Sequence, residues 1–158
     1  RLKPDAVVWD LGAGTGSVSI ECARMCPFGE VYAVEYKPEA LDILEQNKTR
    51  FQTKNLQIIA GRAEEQVQHL PVPDCVFLGG SSGAAKQLVA GLRQLRQPVR
   101  LVASAVTMET QAELFPLLQE LPQFEVVQLA VGCGKTVGNY HVLEGNHPVL
   151  LFSCMTKE

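Results

Sequence analysis

The sequence predicts an α/β protein whose central sheet is parallel except for a closing antiparallel pair of strands, in one domain spanning residues 1–158. Apolar β-prone runs recur along the chain, and a helical pattern follows each of the first five. No long helical pattern separates the last two runs, which is typical of a sheet that ends in a hairpin-like pair. A length of 158 residues fits one compact domain and not two.

The seven predicted strands are short runs that are continuously apolar rather than alternating. Continuous runs are expected where helices cover both faces of a parallel sheet. The predicted strands span residues 7–11, 31–35, 56–60, 74–78, 99–104, 124–131 and 148–154.

Helical periodicity lies between these runs. It predicts helices over residues 17–25, 39–49, 84–95 and 108–121, with a short helix over 63–70. Pro116 is expected to kink or split the helix that contains it. Residues 132–145 are rich in glycine and polar side chains, and they predict a loop longer than a turn.

Composition indicates a soluble globular protein, since 46% of the residues are hydrophobic and 20% are charged. This apolar content excludes a disordered chain. The net charge of −3 gives no electrostatic footprint for general nucleic-acid binding. No apolar stretch approaches the length of a membrane span or follows a basic segment as in a secretory signal, so we expect a cytoplasmic protein without membrane or nucleic-acid partners. Because the chain starts at Arg1, we expect an N-terminal segment to be missing.

The five cysteines are an odd number and lack the Cys-x-x-Cys spacing of metal and redox motifs. Cys22 and Cys26 lie four residues apart on a predicted helix and could form half of a metal site, but no nearby histidine or cysteine completes it. We interpret the cysteines as reduced packing residues and expect no protein-bound metal. Cys133 has little support as a nucleophile.

The most informative segment follows the first predicted strand, where Asp10 precedes the stretch Gly12-Ala13-Gly14-Thr15-Gly16. Glycines there allow a sharp turn and a close approach of the backbone to a ligand, and the following helix begins with free N–H groups. The second predicted strand ends in Glu35, and a carboxylate at that place can accept both hydroxyls of a ribose. The loop and Glu35 together predict an adenosine-containing ligand.

Two features favour S-adenosylmethionine over a dinucleotide. The dinucleotide fingerprint G-x-G-x-x-G needs a third glycine where this chain has Ser17. The Asp10 carboxylate would repel a pyrophosphate but suits a ligand with ammonium and sulfonium groups, so a dehydrogenase is disfavoured. Just past the third predicted strand, Arg62 and Ala63 are candidates for contact with the adenine edge, although Arg62 could equally be a solvated loop residue.

The fourth predicted strand runs into Gly79-Gly80-Ser81-Ser82-Gly83, at the sheet edge where substrates bind in α/β proteins. The [DN]-P-P-[YF] motif that many amino-methyltransferases place here is absent. The loop offers N–H groups to a carboxylate or phosphate, although a tight turn of small residues would also explain it. The substrate-binding candidates in this loop are Gly79, Gly80, Ser81 and Ser82.

With these motifs the chain resembles the decarboxylating precorrin methyltransferases of cobalamin biosynthesis, which methylate C-15 of a corrin precursor and remove the ring C acetate carboxyl. The resemblance covers nearly the whole chain and lies in residues 10–21, 31–35, 61–63, 77–81 and 105–110. The departures are Ser82 in a loop that reads GGSGG in the family, Glu64 in place of a proline, and His147 between Asn146 and Pro148.

The resemblance implies the class I S-adenosylmethionine-dependent methyltransferase fold, with seven strands in a Rossmann-like sheet. It implies a methyltransferase that binds S-adenosylmethionine through Gly12 to Gly16, Glu35 and Ala63, acts on a tetrapyrrole, and forms a homotetramer. Members occur as stand-alone enzymes and as the C-terminal half of a bifunctional C-5,15 methyltransferase. Whether the substrate carries cobalt and which residues are catalytic stay open.

A tetrapyrrole with many carboxylates needs cations at its binding site. Arg62, Lys135 and His141 are the candidates, with a solvated loop position as the alternative for Lys135 and for His141. Two other functions also stay open. One is an RNA or protein methyltransferase of the same fold, which the acidic balance and the missing motif disfavour. The other is a non-catalytic S-adenosylmethionine-binding domain.

Overall fold

The computed structural model describes residues 2–80 and 83–158, and its elements follow the predicted order with small shifts at their ends. The strands are β1 (Val7–Leu11), β2 (Glu30–Glu35), β3 (Leu56–Ala60), β4 (Cys75–Leu78), β5 (Arg100–Ala105), β6 (Glu125–Leu129), β7 (Gly132–Val137), β8 (Tyr140–Gly145) and β9 (Val149–Met155). The helices are α1 (Ser17–Met25), α2 (Pro38–Phe51), α3 (Ala63–Gln66), α4 (Ala85–Gln94) and α5 (Met108–Leu118). A 3₁₀ turn, Val67–His69, continues α3.

Seven strands form one sheet in the order β3-β2-β1-β4-β5-β9-β6. Neighbouring strands from β3 to β5 are parallel, whereas β9 runs antiparallel to both β5 and β6. The predicted mostly parallel sheet with a closing antiparallel pair is therefore confirmed. Strands β1 and β4 are neighbours, but the connection after β1 leads to one side of the sheet and the connection after β4 leads to the other. The two connections therefore diverge, and a crevice opens at the carboxyl ends of β1 and β4.

Helices cover the two faces of the sheet with separate apolar cores. On one face α1 and α2 bury Ile20 and Leu44 against Val8 of β1. On the other face α4 and α5 bury Leu88 and Leu114 against a cluster that includes Trp9. Adjacent β1 residues thus point to opposite cores, as strand geometry requires. The next residue along, Asp10, is a carboxylate in the apolar interior.

The prediction of a loop over residues 132–145 is wrong, because β7 and β8 form an antiparallel hairpin there. Gly138 takes a positive φ of 60° at the first of the two turn positions, which is what a type II′ hairpin turn favours. Lys135 Nζ also lies 3.1 Å from Glu144 Oε2 across the two strands. The glycines and polar residues that suggested a loop are compatible with a two-stranded ribbon that has no buried face.

The helix predicted over residues 108–121 ends at Leu118 and runs through Pro116 without being split. Proline there lies in the last turn, where its missing N–H removes one hydrogen bond to the Ala112 carbonyl. The rest of the helix is held by the burial of Leu114 and Leu118. Within the described ranges, no helix is both long and apolar enough to cross a membrane.

Candidate active site

The loop after β1 is held in place by β2 and by the loop after β4. The N–H groups of Gly12 and Ala13 both donate to the Val34 carbonyl, at 2.9 and 3.0 Å. Gly12 has a φ of 76°, and a Cβ atom there would lie 2.6 Å from the carbonyl oxygen of Gly80. Glycine is required at position 12 because no other residue fits both that backbone angle and that contact.

The two later glycines of this loop have different surroundings. A Cβ atom at Gly16 would lie 2.1 Å from Leu44 Cδ1, so this glycine allows α1 and α2 to pack closely. A Cβ atom at Gly14 would meet nothing within 4 Å. The middle of the loop therefore faces open space, and Asn47 supports it from α2 by donating to the Thr15 carbonyl at 3.0 Å.

Glu35 comes from the carboxyl end of β2, and its carboxylate reaches this same loop. Its Oε2 accepts the Gly14 N–H at 2.8 Å, and its Oε1 accepts the N–H groups of Tyr36 and Lys37 at 2.8 and 3.0 Å. Burial acts to raise the pKa of the carboxyl, but these backbone hydrogen bonds outweigh it and hold the pKa below its ordinary value. An ionised carboxylate is thus fixed at the mouth of the glycine loop.

Asp10 lies beneath the loop and is 1% exposed. Its Oδ2 accepts a short hydrogen bond from the Ser19 hydroxyl on α1, and the described residues offer no partner to its Oδ1. The pKa of this carboxyl is raised to about 6, mainly by burial and to a smaller extent by the nearby charge of Glu35, against the opposing effect of the hydrogen bonds with Ser19. A buried carboxyl with an unpartnered oxygen is costly to the fold unless a ligand compensates it.

Tyr36, which the sequence interpretation did not include, borders the site beside Glu35. The guanidinium carbon of Arg62 lies 5.0 Å from the centre of its ring, and Lys37 Nζ lies 5.8 Å from it. Arg62 also pairs with Glu64 at 3.9 Å. The signal that could have identified Tyr36 is its position directly after the acidic end of β2.

The cleft between these groups is narrow, with a volume of about 20 Å³. Its walls include Gly12, Glu35, Tyr36, Arg62, Ala63 and Gly80. An adenosine is larger than this volume, so it would extend out of the cleft or displace the Arg62 side chain that borders it. The Arg62 side chain is half-exposed and can move without disturbing the core.

A second, wider cleft of about 470 Å³ lies between the loop after β4 and the first turns of α5. Its lining residues are Gly79, Gly80, Gly83, Ser104, Val106, Thr107, Glu109, Thr110 and Glu113. Gly79 and Gly80 were predicted to bind substrate, whereas Ser81 and Ser82 lie outside the described residues. The α5 residues were missed as site candidates, because only packing shows which face of that helix meets the loop.

Lys135 and His141 do not line either cleft among the described residues. Lys135 pairs with Glu144, and His141 lies opposite Thr136 in the hairpin. The hairpin leaves the sheet where β6 ends and β9 begins. The carboxyl ends of the parallel strands lie at the same end of the sheet, since Ala105 at the end of β5 pairs with Leu150 near the start of β9.

Burial lowers the reactivity of two of the cysteines. Burial raises the pKa of the Cys22 thiol to about 12 and that of the Cys154 thiol to about 11, so both are protonated near neutral pH. Across residues 2–80 and 83–158, no group of three or more His, Cys, Asp or Glu side chains is arranged to hold a metal ion.

Comparison with known proteins assigns the chain to a family. The family described as "Precorrin methyltransferase domain" matches residues 1–156. The chain belongs to this family. It is 33% identical to a probable cobalt-precorrin-6B C(15)-methyltransferase (decarboxylating) of Pyrobaculum calidifontis, over 97% of this chain and 80% of that protein.

Solved structures agree with this family at the level of the fold. The crystal structure of precorrin-6y C5,15-methyltransferase from Geobacter metallireducens has a TM-score of 0.89 at 32% identity and covers 97% of this chain and 82% of its own. A SAM-dependent O-methyltransferase of Thermotoga maritima has a TM-score of 0.71 at 20% identity, covering 94% of this chain and 59% of its own. The class I methyltransferase fold that the sequence resemblance implied is therefore confirmed.

Proposed function

We propose that this protein is an S-adenosylmethionine-dependent enzyme of cobalamin biosynthesis that methylates C-15 of a corrin precursor and removes a side-chain carboxyl. Residues 1–158 form a single catalytic domain in this proposal, working in the cytoplasm. The observation that supports it most is the meeting of two clefts at Gly80, one beside Glu35 and one at the ends of β4 and β5. Family membership and a 33% identical relative named for this reaction give the chemistry.

The residues of the first cleft fit S-adenosylmethionine. Glu35 holds a fixed carboxylate whose Oε2 still has one free lone pair for a ribose hydroxyl. The unpartnered oxygen of Asp10 puts negative charge beneath a loop that would receive a cationic ligand. The open side of Gly14 leaves room for that ligand against the backbone. The residues proposed to hold it are Asp10, Gly12, Ala13, Gly14, Thr15, Gly16, Glu35, Arg62 and Ala63.

S-adenosylmethionine, when bound, supplies an electrophilic methyl group on a positively charged sulfur. The protein's own contribution is to position two reactants, which can provide much of the reduction in the barrier. Glu35 and the glycine loop fix the adenosine end. Gly79 and Gly80, with Ser81 and Ser82, are proposed to bind the tetrapyrrole beside it. The conjugated macrocycle can accept the electron pair that carbon dioxide leaves behind, so we propose no protein-bound metal and no covalent nucleophile.

The hairpin is proposed to hold the protein in a homotetramer. All residues of β6, β7 and β8 are exposed, and they include large apolar side chains such as Leu143 at 81% and Tyr140 at 76%. Apolar patches of this kind on a small protein mark contact surfaces. Lys135 and His141 lie on the same ribbon, so they are proposed to act on a substrate through the assembly rather than within one protomer.

Leu143→Glu is expected to dissociate the oligomer, because a charge placed in an apolar contact is desolvated without a partner. Analytical ultracentrifugation should show several times the 17.2 kDa protomer mass for the wild type and the protomer mass for the variant. Phe28→Glu is the matched control, since Phe28 is 84% exposed just before β2, a strand separated from the pair of β9 and β6 by three strands of the sheet. A monomeric wild type, or a variant that stays assembled, would contradict the proposed contact.

Asp10→Asn is expected to stabilise the free protein near neutral pH while weakening the binding of S-adenosylmethionine. The ordinary pKa of 3.8 applies to the unfolded chain, and the folded value is about 6. The folded state therefore holds the proton more tightly. Wild-type stability falls as pH rises from about 4 to about 6 and is level above that range, with a total loss on the order of 3 kcal/mol.

Thermal unfolding measured from pH 4 to pH 8 tests this dependence. The melting temperature of Asp10→Asn should exceed that of the wild type at pH 7.5, and the two should converge near pH 4. Binding of the cationic ligand to the wild type should tighten as pH rises from 5 to 7, and the variant should lose this pH dependence. Parallel stability curves for the two proteins would show that Asp10 is not a buried titrating group.

Calorimetry with S-adenosylmethionine tests the cofactor half of the proposal. We expect saturable binding that S-adenosylhomocysteine displaces, and no binding of NAD, because Asp10 disfavours a pyrophosphate. Absence of heat with S-adenosylmethionine together with heat from NAD would overturn the assignment.

A further inference from the structure

The cleft between the loop after β4 and α5 has an unexpected charge. It is lined by two carboxylates, Glu109 and Glu113, and by no lysine or arginine within the described part of the chain. Neither carboxylate takes part in an ion pair with a described residue. The cleft therefore holds uncompensated negative charge beside the methyl-transfer position.

If the protein has the proposed function, this negative charge weakens the binding of the substrate. A corrin precursor carries several carboxylates, and like charges at close range repel. Residues that served only to bind such a substrate would be cations or N–H donors, as in the Gly79–Gly80 turn. A carboxylate retained in this place is better explained by a chemical task than by affinity.

Glu113 is the better placed of the two carboxylates. It is half-buried one turn into α5, whereas Glu109 is exposed in the first turn, where its charge is already favourable to the helix dipole. The cleft brings Glu113 into the same space as Ser104 at the end of β5 and the Gly79–Gly80 turn. The Ser104 hydroxyl already has a partner in that turn, since it donates to the Gly79 carbonyl at 3.5 Å.

The geometry points to Glu113 as the catalytic residue that moves a proton from the methylated ring carbon to the side chain that loses carbon dioxide. This inference depends on the proposed function. When the carboxyl leaves as carbon dioxide, the electron pair of the broken carbon–carbon bond enters the macrocycle and forms the new bond between C-15 and the methyl carbon. The bond between that methyl carbon and the sulfonium sulfur breaks at the same time, and its electron pair stays on the sulfur, which becomes a neutral thioether. The side chain is then an exocyclic methylene, and C-15 still carries its hydrogen.

The Glu113 carboxylate takes that hydrogen from C-15 as a proton and gives a proton to the methylene carbon, which becomes a methyl group. One proton leaves carbon and one arrives, so the carboxylate is regenerated and no oxidant or reductant is needed. General acid–base groups contribute about 10²- to 10⁴-fold to such transfers. Loss of Glu113 should therefore slow the proton step by about that factor and leave carbon dioxide release and methyl transfer intact.

Glu113→Gln tests the role in single-turnover reactions with S-adenosylmethionine and cobalt-precorrin-6B. Carbon dioxide release, methyl transfer and the final absorption spectrum are followed separately. We expect the variant to accumulate a product of the wild-type mass with a different spectrum and with methylene instead of methyl proton signals in NMR. Thermal stability and calorimetric affinity for S-adenosylmethionine should equal those of the wild type, which a merely structural role would not predict.

Two further variants sharpen the result. Glu120→Gln makes the same chemical change at an exposed residue beyond the end of α5, and it should behave as the wild type. The inference is overturned if Glu113→Gln forms the final product at the rate of Glu120→Gln, if Glu109→Gln alone accumulates the intermediate, or if Glu113→Gln slows all steps equally. A wild type that transfers no methyl group at all would instead refute the proposed function, which is a distinguishable outcome.

Discussion

Replacing Glu35 by alanine is expected to weaken the binding of S-adenosylmethionine by about 10- to 100-fold. The carboxylate is held by three backbone N–H groups, so it is already oriented before a ligand arrives. A ribose hydroxyl that donates to the remaining lone pair would form a hydrogen bond to a charged group, worth about 1.5 to 3 kcal/mol. Each 1.4 kcal/mol corresponds to a factor of about ten in affinity.

Calorimetric titration of the Glu35→Ala variant measures this loss. Glu30→Ala is the matched control, because Glu30 lies at the other end of β2, is exposed, and bonds the Tyr32 hydroxyl at 2.7 Å. We expect the control to bind as the wild type does. Unaltered affinity in Glu35→Ala would show that the adenosine end of the ligand lies elsewhere, which would remove the main support for the cofactor site.

Gly12→Ala is expected to destabilise the protein by about 2 to 5 kcal/mol and to abolish cofactor binding. A φ of 76° costs a residue with a Cβ atom about 1 to 2 kcal/mol. The added methyl would lie 2.6 Å from the Gly80 carbonyl oxygen, and relieving such overpacking costs about 1 to 3 kcal/mol more. Relief requires the loops after β1 and β4 to move apart; both loops border the narrow cleft, and the loop after β4 also borders the wider one.

Chemical denaturation of the variant gives the change in the free energy of unfolding, and calorimetry gives the binding. Gly91→Ala is a control that should change the free energy of unfolding in the opposite direction. Gly91 lies inside α4, and a Cβ atom there would meet nothing within 4 Å. Alanine at this position should stabilise the protein by about 0.5 to 1 kcal/mol. Equal stability of Gly12→Ala and the wild type would mean that the contact between the two loops is not close in solution.

The sequence was sufficient to predict the sheet and to place the glycine loop and Glu35 at one edge of it, because both follow from local patterns. The alternation of apolar runs with helical periodicity requires a parallel sheet, and strand ends of such a sheet meet at one edge. Glu35 and Gly14 are 21 residues apart, yet the prediction that they belong to one site is supported by their hydrogen bond of 2.8 Å.

The substrate side could not be predicted in the same way. Which face of α5 meets the loop after β4 depends on how Leu114 and Leu118 pack, so the placement of Glu109 and Glu113 was invisible in the sequence. Arg62, a candidate both for contact with the adenine edge and for a carboxylate substrate, lies against the Tyr36 ring in the narrow cleft.

The hairpin escaped prediction for a related reason. A strand with one buried face is recognised in a sequence because apolar and polar residues alternate along it. Neither strand of the ribbon has a buried face within the protomer. Its pairing depends on a turn at Gly138 and on contacts across two strands, such as that between Lys135 and Glu144. Such contacts cannot be read from either segment alone.

Analysis of the reaction product tests most directly whether this protein methylates C-15 and removes a carboxyl group. The protein is incubated with cobalt-precorrin-6B and S-adenosylmethionine labelled with ¹³C in the methyl group, and the product is analysed by mass spectrometry and NMR. We expect a product that has lost one carbon dioxide and carries the labelled methyl group at C-15. A substrate recovered unchanged, while the protein binds S-adenosylmethionine and methylates an RNA or a protein instead, would contradict it.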